Sequence, residues 1–245
     1  MPMISNFRQL ISWNMQGAKG GDSRWTRDVR RMIDQSDFVI LQECGAPPAG
    51  AKLIVPKTKF FGGLPPHLTG KVKAGLWNVG TRNRPLEVYM LWCNADTGGN
   101  RCNLAILSWQ IPFGLLCRVN PIMVSKRPML GLVFPTFVLA NIHAFATGGA
   151  DGPKFIQDLL TITATKEWFC AGDYNRNPIK WNVPLAGSPN YYASGQLWFP
   201  GMATHDGRKI LDYGVCSQPR TPHDIVEAMT DMVGSDHRPV RFIPG

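Results

Sequence analysis

The sequence predicts one strand-rich domain over residues 1–245, a sandwich or an α/β fold. Short apolar runs recur along the chain, each closed by Gly, Pro, Asn or Asp, which is the signature of buried strands ending in turns. Only two stretches carry helical periodicity. A chain of 245 residues with 44% hydrophobic content is also long enough to bury one full core.

Residues 9–15 are short, apolar and β-branched enough for a buried strand, and the Gly/Lys/Gly/Gly/Asp loop after them ends it. Ser23 is then a candidate N-cap, and Trp25, Val29, Met32 and Ile33 form one apolar stripe with arginines opposite. Residues 37–42 (DFVILQ) read as the next buried strand. Residues 86–92 and 102–109 read as a hairpin around a Gly-Gly turn, and 129–134 with 136–142 as a pair broken at Pro135. A second helix is expected after Asp151-Gly152-Pro153, with Phe155, Leu159, Ile162 and Trp168 at roughly helical spacing. Residues 210–216 and 239–243 are the last expected strands.

Lysine and arginine outnumber aspartate and glutamate 26 to 17, a net charge of +9, which favours a polyanionic partner. The mild cluster Lys52, Lys57, Lys59, Lys71 and Lys73 reads first as a solvated loop and second as a phosphate-attracting rim. Nothing resembles a transmembrane segment. The N-terminus MPMISNFRQLISWNM lacks the features of a signal peptide, so the expectation is a cytosolic chain or a mature form behind a new Met. Six cysteines occur singly, without Cys-x-x-Cys or a Cys/His cluster, which argues against zinc. Buried thiols are expected, with a Cys93–Cys102 bridge across the hairpin left open.

Polar residues gather where the apolar runs stop: Asn14 after the first, Glu43 after the second, His143, then Asp173 and Asn175 in GDYNRNP, Asp212, and finally Asp236-His237. Singly each is an ordinary turn or a satisfied structural residue. Together they suit phosphodiester hydrolysis, which needs a cation on the phosphoryl oxygens, a base for water and an acid for the leaving alkoxide. Glu43, Asn14, Asp173, Asn175 and Asp236 offer only oxygen ligands, a set for Mg²⁺ or Ca²⁺. His143 and His237 offer acid–base groups suited to neutral pH.

The segments SWNMQG, LQECGAPP, IHAFATGG, GDYNRNP, LDYGV and SDHRPV, in this order over residues 11–240, resemble the deoxyribonuclease-I-like endonuclease/exonuclease/phosphatase superfamily, and within it the family of the catalytic component of cytolethal distending toxins. The resemblance implies a four-layer α/β sandwich of two packed, mostly antiparallel sheets with outer helices. It implies cleavage of double-stranded DNA with Mg²⁺, Ca²⁺ or Mn²⁺ being alternatives, and secretion and delivery into a host cell nucleus with lectin-like companion subunits. By the same resemblance Glu43 is the principal metal ligand with Asn14 and Asp236 beside it, His143 and His237 are the acid–base pair, Asp212 orients one imidazole, and Asp173 and Asn175 position phosphate or water. Glu87 takes the place of a glutamate supporting the first histidine, and Arg101 and Arg127 match arginines that grip phosphate. Tyr174 departs from the Phe commoner in that toxin family. The alternatives are a phosphoinositide phosphatase, disfavoured because ILDYGV stands where those enzymes carry CDR, and an inactive binding homologue.

Overall fold

The structure is a computed structural model that describes residues 7–19, 21–96, 101–119, 127–163, 166–181, 195–232 and 234–245. Among these residues, fifteen strands form two sheets. The first runs, edge to edge, Ile225–Ala228 (β14), Val240–Ile243 (β15), Leu10–Asn14 (β1), Phe38–Gln42 (β2), Leu104–Ser108 (β7), Glu87–Cys93 (β6), Val72–Asn78 (β5) and Ala51–Ile54 (β3). The second runs Gln196–Trp198 (β12), Asp212–Cys216 (β13), Glu167–Asp173 (β11), Phe137–His143 (β10), Pro128–Val133 (β9), Gly114–Val119 (β8) and Phe60–Phe61 (β4). Pairing is antiparallel except for β1 with β2, β10 with β11, and β4 with β8.

Alternation along the strands builds three hydrophobic layers, because successive side chains point to opposite faces. Leu10, Phe38, Ile40, Leu104 and Ile106 meet Leu130, Leu132, Leu139 and Phe169 between the sheets. Their neighbours Ile11, Trp13, Val39 and Leu41 face outward, onto Trp25, Val29, Met32 and Ile33 of the first helical segment. Val138, Ala140 and Ile142 turn outward from the second sheet onto Phe155, Ile156 and Leu159 of the helix Gly152–Thr163 (α2). Helix, sheet, sheet and helix make four layers. Strands covered on both faces read as continuous apolar runs, which is why LISWN and FVILQ are buried throughout.

The expected stripe of the first helix faces the core, but its start differs. Ser23 already has helical φ and ψ of −59° and −22° and caps nothing, whereas Asp22 accepts the Arg24 amide at 2.9 Å. The segment begins as a π-helix, Arg24–Val29, and continues as the α-helix Arg30–Gln35 (α1). Trp168 is not on α2; pairing with Val138 claims it for β11. The lysine-rich stretch is partly sheet, with Lys52 on β3 and Lys73 on β5, both facing solvent. Lysine on an edge strand such as β3 discourages further pairing. Cys93 and Cys102 are both free thiols, and Cys93 faces Cys117 across the sheets instead. No helix among the described residues is long and apolar enough to cross a membrane.

Below the rim, a buried polar network ties the sheets together. Gln42 Nε2 donates to Asn141 Oδ1 at 2.8 Å, and Asn141 Nδ2 donates to the carbonyls of Leu41 and Ala105 at 2.8 and 2.9 Å. Buried amides paired across the interface in this way help set the relative position of the two sheets where strand ends must meet.

Candidate active site

Register brings the site residues side by side. In the second sheet His143 stands opposite Asp173, and Asp173 opposite Asp212, so three adjacent strands end on these side chains. In the first sheet Asn14 pairs with Gln42, which puts Glu43 one residue past the same rim. Because β15 is antiparallel to β1, the residues leading into β15, Asp236 and His237, arrive at this rim as well.

Asp173 is the hub between the sheets. Its Oδ2 accepts from Asn14 Nδ2 at 3.0 Å and Asn175 Nδ2 at 3.2 Å, and its Oδ1 accepts the Asn175 amide at 2.8 Å. Asn14 Nδ2 also lies 3.4 Å from Glu43 Oε1. The Nε2 atoms of His143 and His237 stand 3.6 and 3.9 Å from the same Asp173 Oδ2. His237 Nδ1 is bonded to Asp212 Oδ2 at 2.8 Å, which fixes that ring and directs Nε2 inward.

The backbone is strained where these side chains leave the strands. Gln16, Glu43 and Asn175 have φ of 50°, 48° and 50°, the left-handed region that costs a non-glycine residue on the order of 1 kcal/mol. Two of the three are held by the same device. The Gln16 amide donates to Asn14 Oδ1 at 3.0 Å just as the Asn175 amide donates to Asp173 Oδ1, an Asx turn at the end of one strand in each sheet. Past Glu43, Gly45 has φ of +62° and its carbonyl accepts from Trp92 Nε1 at 2.9 Å and Asn103 Nδ2 at 3.1 Å.

Burial splits the two histidines electrostatically. Desolvation and the positive charges of Arg127, His237 and Arg101 hold His143 well below the ordinary imidazole range, so it is neutral. Burial would lower His237 too, but Asp212, Asp173 and Asp236 outweigh it and push it up to about 9. Burial and the neighbouring Asp212 raise Asp173 to about 7, and burial raises Glu43 against the pull of Arg101. Burial thus favours the neutral form of one imidazole, and the carboxylates favour the charged form of the other.

Four carboxylates crowded into this rim call for positive charge. Among the described residues, Asp212 Oδ1 and Asp236 Oδ1 are buried without a hydrogen-bond partner, and Glu43 Oε2 has only the ion pair to Arg101 Nε at 2.6 Å. Carboxylate and amide oxygens in this number fit a divalent cation. Arg101 is half exposed, and Arg127 donates to the Ala144 carbonyl at 2.7 Å with its guanidinium over Phe145. Both flank His143 at the rim.

Glu87 is elsewhere, which corrects its expected role beside the first histidine. Strand β6 runs antiparallel to β7, so Cys93 is the end near Leu104 and Gln42, whereas Glu87 pairs with Asn78 at the far end and is exposed. Among the described residues His143 Nδ1 has no hydrogen-bond partner. The site also includes two residues that the pattern of strand ends did not single out. Gln16 Oε1 accepts the Asp236 amide at 3.2 Å, and His205 packs edge-on to His237 with ring centroids 4.7 Å apart. His205 lies in the polar turn THDGRK, where no apolar run ends, so nothing in the sequence draws attention to it.

Similar proteins point the same way. The chain is 30% identical to a homolog of the cytolethal distending toxin B chain from Salmonella typhi, over 98% of this chain and 90% of that protein. It is 28% identical to the cytolethal distending toxin B chain of Escherichia coli, over 97% and 91%. Among solved structures, cytolethal distending toxin from Haemophilus ducreyi superposes with a TM-score of 0.82 at 30% identity, covering 98% of this chain and 99% of that one. The toxin from Actinobacillus actinomycetemcomitans gives 0.82 at 28%, with the same coverage. Residues 11–237 match the Endonuclease/Exonuclease/phosphatase family. With the four-layer fold and the rim of carboxylates and histidines, this match identifies the chain as a deoxyribonuclease-I-like member of the endonuclease/exonuclease/phosphatase family, hydrolases that generally depend on a divalent metal.

Proposed function

We propose that residues 1–245 act as one endonuclease domain that hydrolyses phosphodiester bonds of double-stranded DNA with Mg²⁺, as the active component of a genotoxin carried by delivery subunits. The observation that carries the reading is the placing of His143 and His237 on one carboxylate oxygen, Asp173 Oδ2, at 3.6 and 3.9 Å, where burial favours a neutral His143 and the carboxylates a charged His237. Glu43, Asn14 and Asp236 would hold the cation, which when bound supplies charge neutralisation at the phosphoryl oxygens. Asp173, Asn14 and Asn175 orient the attacking water. Neutral His143 accepts the water proton as the oxygen attacks phosphorus, and imidazolium His237, held by Asp212, donates a proton to the leaving alkoxide. Arg101 and Arg127 sit beside the reacting groups and would hold flanking phosphates, since guanidinium forks suit phosphate oxygens. The +9 net charge supports a polyanionic substrate, and the toxin names of the relatives support the genotoxin reading.

Nicking of supercoiled plasmid in Mg²⁺, abolished by EDTA, is the expected result. A parallel assay on a soluble inositol phosphate headgroup provides the contrast. Headgroup hydrolysis outpacing nicking under the same conditions overturns the DNA reading in favour of a lipid phosphatase.

A further inference from the structure

We infer that His205 is a positioning residue that holds Asp236 in place for the divalent cation. The inference rests on the reading of Asp236 as a cation ligand. The turn that carries His205 is fastened to the segment that carries Asp236 and His237. His205 and His237 form an antiparallel bridge, the Asp206 amide donates to the Asp236 carbonyl at 2.9 Å, and the Arg238 amide donates to the Thr204 carbonyl at 2.7 Å. Thr204 Oγ1 in turn accepts the amides of Leu211 and Asp212 at 3.0 and 3.1 Å, which joins this turn to the start of β13.

The imidazole has one defined role within that frame. His205 Nδ1 accepts the Gly207 amide at 2.8 Å, so its lone pair is engaged there and the ring proton resides on Nε2. A protonated Nε2 cannot ligate a metal. It faces Asp236 Oδ2 at 3.6 Å, while Asp236 Oδ1 lies 3.9 Å from His237 Nε2. The carboxylate is therefore straddled by two imidazoles, one on each oxygen, and the edge of His205 against the His237 ring limits how far either can turn. Removing His205 takes away the imidazole that faces Asp236 Oδ2. Groups of this kind, which orient a ligand without touching the metal, typically contribute about 10- to 100-fold to metal affinity or activity.

Gly207 offers a second handle on the same contact. A Cβ there would stand 2.9 Å from His205 Nδ1 and 3.3 Å from Cε1, so Gly207→Ala displaces the ring without deleting it. The test compares wild type, His205→Ala, His205→Gln, Gly207→Ala and Asp236→Asn as full chains stripped of metal. Calorimetric titration with MnCl₂ gives cation affinity, plasmid nicking against MgCl₂ gives the half-saturating cation and the KM for DNA, and thermal midpoints in EDTA report the fold. His205→Ala and Gly207→Ala should weaken Mn²⁺ binding and raise half-saturating Mg²⁺ by roughly 10-fold or more, with the KM for DNA and the EDTA midpoint unchanged. His205→Gln, which retains an N–H donor, should restore most of the affinity. If Asp236→Asn weakens cation binding while His205→Ala and Gly207→Ala do not, His205 has no positioning role. If Asp236→Asn binds Mn²⁺ like wild type, the ligand reading of Asp236 fails first. Affinity lost only in step with the EDTA midpoint, and not rescued by Gln, overturns the inference in favour of a purely structural residue.

Discussion

Replacing Asp212 with Asn removes one charge from the site and little volume. Asp212 Oδ2 sits 2.8 Å from His237 Nδ1, and Asp212 is fully buried. Burial pulls His237 down, yet it lies at about 9 against an ordinary 6.5, and Asp212 is the largest of the three carboxylates that lift it. That rise corresponds to favouring the charged ring by on the order of 3 kcal/mol. In Asp212→Asn the burial is opposed only by Asp173 and Asp236, so His237 should titrate at or below about 6.5. The sign for stability follows from the direction of the shift. A folded-state value raised above the unfolded one stabilises fully below about 6.5, and the contribution is lost as pH rises through about 9. Asp173, raised to about 7, acts in the same direction but completes its titration lower, so the slope approaching 9 belongs to His237. Imidazole NMR titration of the metal-free protein should show the downward move directly. Thermal unfolding in EDTA should show the wild-type midpoint falling towards alkaline pH and the variant nearly flat there, with DNA nicking at neutral pH reduced by about 10²- to 10⁴-fold. A His237 that still titrates near 9 in Asp212→Asn would refute the electrostatic account of the pair.

Three further outcomes are expected. His143→Ala should cut nicking by about 10²- to 10⁴-fold with little change in thermal midpoint, because among the described residues Nδ1 has no hydrogen-bond partner and the ring is desolvated by burial; equal losses of activity and stability would mark a structural histidine instead. Arg127→Ala and Arg101→Ala should each weaken binding across unrelated DNA sequences and flatten log K against log salt by about one unit, with unchanged salt slopes showing that neither arginine touches DNA phosphate. Gly45→Ala should destabilise by more than about 2 kcal/mol in denaturant unfolding, since its Cβ would fall 1.5 Å from the Ala18 carbonyl oxygen at a φ of +62°; a variant as stable as wild type would mean that the loop after Glu43 adapts freely.

Local pattern was enough to identify most strands and much of the site. Apolar runs covered on both faces, such as FVILQ, announce themselves as buried strands, and the polar residue at the limit of each run marks where the strand meets the rim; Asn14, Glu43, His143, Asp173 and Asp212 were legible for that reason. Where periodicity is short or mixed the pattern fails. VKAGLWN on β5 and GLLCRV on β8 carry lysine, arginine or glycine among their apolar residues and become strands through pairing with neighbours far along the chain. Trp168 satisfied a helical spacing, yet seven paired positions between β10 and β11 decided for strand. The direction of a strand in its sheet is likewise invisible locally, so the resemblance could set Glu87 beside a histidine although antiparallel pairing carries it to the opposite end. His205 shows the converse. A histidine in a polar turn has no local mark, and it reaches Asp236 only because backbone bonds from Thr204 and Asp206 fasten that turn to the segment entering β15. Periodicity encodes which residues are buried and where elements stop, while register and direction are set by non-local hydrogen bonds, so only the folded chain decides which strand ends share a rim.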